Sequence, residues 1–293
     1  MNNFIQNYEI ILDNLSKIGA KTASYNQIRK PKLSNLEIIA MNLTAEYMSI
    51  DSECQLFRLI QGTYLEGKIE RSVYNRRRRK LFSFLEDVRK NLSMSFNKFE
   101  DYFIVDSMPL EVCKNARAAR SNICKDTENA FPDKGYCASQ NMYYYGYKLH
   151  GVCSVDGVFH SIDITPASVH DIHYLKDIKQ QLSDCVLLGD KGYLSAEIQL
   201  NLFESANIRL DTPKRANQKS STPQPYILKR ARKRIETLYS QLCDQFLIRR
   251  NYAKTFDGFK TRILSKVTAM TMIQFLNHFV FNKPLNNLKI NLS

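Results

Sequence analysis

The chain has 293 residues, 44% hydrophobic and 24% charged, enough to bury a sizeable core in one large domain or two ordinary ones, which excludes a disordered chain. Lysine and arginine number 42 against 29 acidic residues, and the formal net charge of +13 makes nucleic acid the leading partner. The start MNNFIQNYEIILDN lacks a basic stretch ahead of an apolar run, and the most apolar tail, 263–281, still carries Lys266, Gln274, Asn277 and His278, so a secretory leader and a membrane span are disfavoured and a cytosolic protein is expected.

Residues 1–96 read as helical throughout. In KLSNLEIIAMNLTAEYM, Ser34 stands as a helix cap with Glu37 three residues on, a capping-box pattern ahead of Ile38, Ile39, Leu43 and Tyr47. A second long helix is predicted over residues 69–92, with Val73, Leu81, Phe84, Leu85 and Val88 on one face. At its centre lie Arg76, Arg77, Arg78, Arg79 and Lys80. Such a run is either a solvated face or a set of DNA phosphate contacts, and the overall charge favours the second.

Near residue 97 the texture changes to short apolar runs with turn signals, and a domain boundary is placed there. DYFIVDSMPL reads as a strand ending on Asp106. MYYYGYKLHGVCSVDGVFHSIDITPAS reads as two strands around Asp156-Gly157, a strong hairpin signal between aromatic and β-branched residues. VHDIHYLKDIKQQL has a helical pattern, CVLLGD is a fourth strand, SAEIQLNLFESA is a helix capped by Ser195, and IRLDTPK is a fifth strand. NQKSSTPQP, 217–225, is a polar loop. Two helices close the chain, roughly 226–248 and 257–281, and both are expected on the same core; the first aligns Leu228, Ala231, Ile235, Leu238, Tyr239, Leu242 and Phe246.

This succession of strands and helices predicts a mixed α/β fold. Three carboxylates stand at informative places: Asp106 at the end of the first strand, Asp190 just past the fourth, and Glu236 beside Ile235 on the late helix. Ends of neighbouring strands meet in space, and a helix packed on that sheet can bring the third acid to them. Three carboxylates repel one another, and burying them makes physical sense mainly around a divalent cation. Hard oxygen ligands favour Mg²⁺ or Mn²⁺, and two such ions roughly 4 Å apart serve in-line displacement at a phosphodiester. Singly, each acid reads as a turn former, cap or solvated side chain.

The segments YFIVDSMPL, YYYGYKLHGV, ITPASVHD, LLGDKGYLS and RKRIETLYSQL, most specifically the run Asp190-Lys191-Gly192-Tyr193, resemble the catalytic core of DDE transposases of bacterial insertion sequences. The resemblance is closest to insertion-sequence family nine-eighty-two, which is similar also over PKLSNLEIIAMNLTAEYMSIDSE. It implies a ribonuclease H-like catalytic domain, a mixed sheet flanked by helices, at 97–293, preceded by an all-α, basic, DNA-binding region at 1–96. It further implies Mg²⁺- or Mn²⁺-dependent cleavage at the element ends and joining of the 3′-hydroxyl to target DNA. Asp106, Asp190 and Glu236 would be the catalytic and metal-holding acids. Double-stranded DNA, as terminal inverted repeats and target, would be the partner of a homodimer or higher oligomer associated with the nucleoid. Arg232, four positions before Glu236, matches a basic residue of related transposases; the flanking tyrosine and lysine of that signature are replaced by Lys229 and Cys243. A catalytically inactive repressor and a nuclease that cuts without joining are the alternatives.

Lys148 either faces the scissile phosphate as a point charge or is an edge lysine. With Arg117 and Arg120 of ARAAR, Lys191 and Arg232, it joins the expected DNA contacts. In ASVHDIH, Asp171 is expected to cap the helix and His170 to pack locally. The seven cysteines are odd in number and widely spaced, so reduced thiols are expected; Cys113, Cys124 and Cys137 have no close ligand pair for zinc.

Overall fold

A computed structural model describes residues 3–18, 31–96, 101–213 and 226–288, with backbone alone at 226–229. The expected loop 217–225 and the side chain of Lys229 lie outside the described residues. The chain divides into two compact units, one from Met1–Phe96 with Gln241–Ser293 and one from Asn97–Ser240. The second unit begins at Asn97, and Gln241–Ser293 falls in the first, helical unit.

That helical unit contains α1 (Phe4–Lys17), α2 (Asn35–Tyr47), α3 (Glu53–Leu59), α4 (Arg71–Lys80) and α5 (Phe82–Met94). The capping box of α2 forms: the Ser34 hydroxyl accepts the Glu37 N–H, and the Glu37 carboxylate accepts the Ser34 N–H at 2.6 Å. The helix expected over 69–92 is broken at Leu81 (φ −85°, ψ 12°), which lets α4 bury Tyr74 and Arg78 while α5 buries Phe84, Leu85, Val88 and Leu92 on its own face. The span between α3 and α4 is not helical either, because Gly62 and Gly67 adopt positive φ and turn the chain.

The closing helix of this unit (Phe256–Phe275, numbered α9 below in chain order) packs against α2 and α5. Its cation Lys266 is 1% exposed. There it pairs with Glu46 of α2 and donates to the Phe246 carbonyl at 2.7 Å. Asn42 of α2 donates to Ser265 at 2.6 Å. Gln274 and Asn277 bond to the segment after the helix.

The second unit is built on one six-stranded sheet: β1 (Tyr102–Cys113), β2 (Asp133–Cys137), β3 (Met142–Ser154), β4 (Phe159–Pro166), β5 (Cys185–Leu188) and β6 (Ile208–Asp211). The strand order is β2-β3-β1-β5-β6, with β4 also on β3. β2 and β4 share one edge of β3, β2 along 142–146 and β4 along 147–153. β1 pairs β3 antiparallel, while β5 runs parallel to β1 and β6 parallel to β5. The hairpin between β3 and β4 turns at Gly157 (φ 94°), as its Asp-Gly signal predicts. β2 has no counterpart among the expected strands: DKGYC is polar and mostly exposed, so it carries no alternating pattern.

Helices α6 (Leu175–Ile178), α7 (Ala196–Ala206) and α8 (Tyr226–Asp244, which crosses the division at Gln241) complete the chain order, and Ser195 caps α7 by accepting the Ile198 N–H. Phe103, Val105, Val152, Tyr174, Leu187, Tyr193 and Leu202 form one buried cluster between sheet and helices. The two closing helices do not share the one core their apolar stripes suggest: α9 packs within the helical unit, and α8 up to Ser240 belongs to the sheet unit.

Candidate active site

β1 does not stop at Asp106. It continues to Cys113 because Met108 and Leu110 keep the buried alternation going. Asp106 is therefore a mid-strand residue, facing Gly151 of β3. On its other side, β5 pairs Ile104 with Leu188. Two positions further on, Asp106 lies within β1 and Asp190 just past the end of the neighbouring parallel strand β5. Gly189 permits that closeness: a Cβ there would sit 3.3 Å from Val105 Cγ1 and 3.3 Å from Tyr193. Asp190 then accepts the Lys191 N–H at 2.7 Å and caps a single 3₁₀ turn, Lys191–Tyr193, which returns Tyr193 to the core.

The third acid arrives through a contact that sequence reasoning missed. The Tyr239 hydroxyl on α8 donates to the backbone carbonyl of Asp106 at 2.8 Å. Its ring packs on Phe159 with centroids 5.9 Å apart. Gly151 makes the room, since a Cβ there would meet the Tyr239 hydroxyl at 2.8 Å and the Phe159 ring at 2.7 Å. Glu236 and Arg232 precede Tyr239 by three and seven positions, so all three lie along one side of α8. Arg232 Nη2 stands 3.0 Å from Asp190 Oδ1. In the sequence Tyr239 reads as one more apolar position; its signal is a hydroxyl on an otherwise hydrocarbon stripe.

The electrostatics record the convergence. The Asp106 carboxyl is pushed up from 3.8 to about 7, first by burial and then by the charges of Asp190, Asp171 and Glu236, against a backbone N–H from Ser107 that favours ionisation. Asp106 is half-buried, while Asp190 and Glu236 are exposed. Among the described residues, no group of three or more His, Cys, Asp or Glu side chains stands in a metal-holding arrangement. The acids are near enough for Asp190 and Glu236 to act on Asp106, and Asp190 Oδ1 is held by Arg232. The donor set is nonetheless of hard oxygens, with an excess of negative charge around Asp106 that a divalent cation would neutralise.

A fourth carboxylate reaches this place. His170, not Asp171, caps the turn Asp171–Tyr174, its Nδ1 accepting the Ile172 N–H at 3.3 Å. Asp171 instead pairs with Lys148 at 3.0 Å. Lys148 also donates to the Val169 carbonyl at 2.9 Å, so this cation is committed internally. His150 bonds Thr165 through Nε2 at 2.8 Å and stacks on Tyr174 at 5.0 Å, and burial pushes its pKa down to about 4, leaving it neutral. The Tyr193 hydroxyl is buried with no hydrogen-bond partner among the described residues.

The remaining expected contacts are dispersed. Arg117 and Arg120 are exposed on a 3₁₀ turn, Asn115–Arg120, and Lys191 is exposed beside Asp190. The cation run does not form one face. Arg76 and Lys80, one turn apart, are exposed, but Arg77 donates to the Leu33 carbonyl and to Asn35, both at 2.9 Å. Arg78 is buried against Glu53 at 3.0 Å and against the Tyr74 ring, a structural role rather than a phosphate contact. Cys243 is half-buried and burial raises its thiol pKa; the seven cysteines are reduced rather than paired in disulfides.

An antiparallel set of strands continued by two parallel ones, with helices against it, one acid within β1 and another just past the neighbouring β5, fits a ribonuclease H-like domain of the DDE type. The family model for the transposase DDE domain matches residues 97–272, more than half of the chain, and the chain belongs to that family. No curated protein and no solved structure gives a match. A transposase domain implies DNA as substrate. No helix among the described residues is long and apolar enough to cross a membrane.

Proposed function

We propose that the protein is the transposase of an insertion sequence, of the nine-eighty-two type, which binds the terminal inverted repeats, cleaves at the element ends and joins the freed 3′-hydroxyl to target DNA. The observation that carries this reading is the tie between Tyr239 and the Asp106 carbonyl, which sets the Glu236 helix against the strand pair bearing Asp106 and Asp190.

Asp106, Asp190 and Glu236 would hold Mg²⁺ or Mn²⁺, which when bound activates an attacking oxygen and stabilises the leaving oxygen of a phosphodiester. The chain's own groups do the rest. Asp106 must lose a proton that burial and its neighbours favour keeping, so its ionisation is tied to the arrival of positive charge. Arg232 holds Asp190 in the meantime and, on release, becomes a cation beside the DNA strand. Lys148 keeps Asp171 compensated rather than contacting phosphate. Exposed Arg76, Lys80, Arg117, Arg120 and Lys191 supply phosphate contacts, and the helical region recognises the ends in a dimeric or larger complex.

The test is cleavage and joining of labelled element ends by the parent, Asp106→Asn, Asp190→Asn and Glu236→Gln proteins. Each variant should bind ends close to normally and nearly lose both reactions, without additive losses in combination. Parent-rate cutting by Glu236→Gln sinks its assignment as third acid. Cut ends that never appear in joined products identify a nuclease, and end binding without cutting by the parent identifies a repressor.

A further inference from the structure

The helical unit holds a cleft of about 570 Å³ that the acidic site does not use. It is walled by the start of α3, by α4, and by the segment 252–262 that opens α9. Arg71, Arg78, Arg79, Lys254 and Arg262 line it, against Asp51 and Glu53 as the acids among the described residues. Glu53 is already engaged by Arg78 at 3.0 Å and by Asn75. Arg262 reaches the Asp51 carbonyl at 2.7 Å through one terminal nitrogen. The positive charge left facing the opening is that of Arg71 and Lys254, both exposed, and of half-buried Arg79.

Two further features point to an anion. The Nε groups of Arg79 and Arg262 are buried in the cleft wall with no hydrogen-bond partner among the described residues. A buried cation with an unsatisfied donor costs free energy, and negative charge in the adjoining cleft offsets part of that cost. The second is the twenty-residue helix α9, which begins in this wall: Thr255 caps it by accepting the Gly258 N–H, and both residues line the cleft. Its positive end adds to the field of the arginines. Tyr252, 68% exposed, also lines the cleft and offers a hydroxyl donor.

We infer that this cleft is a phosphodiester-binding site that holds the backbone of duplex DNA, with Arg71, Arg79 and Lys254 as its cations and the α9 N-terminus as its floor. The inference rests on the transposase reading for the identity of the polyanion. It moves the principal phosphate contacts from the run Arg76–Lys80, of which Arg79 lines the cleft and Arg78 is internally paired, to a surface built jointly by α4 and the approach to α9.

The probe is a fluorescein-labelled mixed-sequence duplex of about 30 base pairs, with binding followed by anisotropy between about 50 and 300 mM sodium chloride. Removing one phosphate-binding cation lowers the log–log salt slope by roughly 0.9, so Arg71→Ala with Lys254→Ala should flatten it by about 1.8 and weaken binding. Arg71→Lys with Lys254→Arg should restore the slope. Lys32→Ala with Lys90→Ala, which removes two exposed cations outside the cleft, should leave it unchanged. Both altered positions are exposed, and an unchanged melting curve verifies the fold. An unmoved slope in the cleft variant, or equal flattening in the Lys32/Lys90 control, overturns the inference. So does displacement of the duplex by sodium phosphate far beyond that by chloride at equal ionic strength, which marks a small-anion site. A parent that cuts element ends while the cleft variant keeps its slope sinks the cleft alone; a parent that neither binds the duplex nor cuts ends sinks the transposase reading with it.

Discussion

Replacing Asp106 by asparagine should stabilise the metal-free protein, and by an amount that depends on pH. The carboxyl titrates at 3.8 when free and at about 7 in the folded chain, with burial the main cause and Asp190, Asp171 and Glu236 contributing. Between those values the folded state holds a proton that the unfolded chain releases, so stability falls as pH rises through this window and is complete only below it. At about 1.36 kcal/mol per tenfold change, the cost of keeping Asp106 ionised above pH 7 is on the order of 4 kcal/mol. The asparagine variant escapes that cost. Urea denaturation in the presence of a chelator, followed by the fluorescence of the 16 tyrosines in a chain without tryptophan, reads the difference directly. The two proteins should be equally stable near pH 4, and the variant should lead by a few kcal/mol near pH 8. Mg²⁺ at the higher pH should narrow the gap by stabilising the parent alone. A gap of constant size from acid to alkaline pH would refute the claim that the folded structure resists the charge on Asp106.

Tyr239→Phe removes the donor to the Asp106 carbonyl and should cost about 1 to 2 kcal/mol and slow end cleavage, while Gly151→Ala forces a methyl into the Tyr239 hydroxyl and should cost about 1 to 3 kcal/mol; denaturation and cleavage rates check both. Asp171→Asn strips Lys148 of its charge partner and should reduce the cleavage rate clearly, whereas Glu197→Gln, exposed on α7, should stay near the parent in the same assay. Lys266→Met leaves Glu46 buried without its cation and should cost about 3 to 5 kcal/mol in urea titrations; adding Glu46→Leu should recover much of that, and a lack of recovery would point away from the pair.

The elements with local chemistry were legible in the residues. The Ser34–Glu37 capping box, the Asp156-Gly157 hairpin and the Ser195 cap all depend on neighbours a few positions apart, and each forms. The adjacency of Asp106 and Asp190 was legible as two strand ends, although β1 continues past its acid on an alternation that reads through Pro109. What stayed hidden depends on distant partners. Nothing near Tyr239 announces a carbonyl on β1, nothing near Asp171 announces Lys148, and β2 is held by pairing to β3 rather than by any apolar pattern of its own. The run Arg76–Lys80 misleads for the same reason: a helix turns successive residues through every direction, so five adjacent cations divide between solvent, hydrogen bonds to 33–35, a cleft wall and a buried ion pair.

That the helical unit draws on both Met1–Phe96 and Gln241–Ser293 bears on the order in which the protein is made. The first helices leave the ribosome long before α9, the element that covers α2 and α5. The sheet unit, whose strands lie wholly between them, is synthesised in the interval and can complete its own pairing first. Until α9 emerges, α2 and α5 lack the element packed against them, and Glu46 lacks its lysine. A chain broken off between Ser240 and Phe256 therefore carries the strands that bear the acidic site without a finished helical unit, so completion of that unit waits on synthesis of α9.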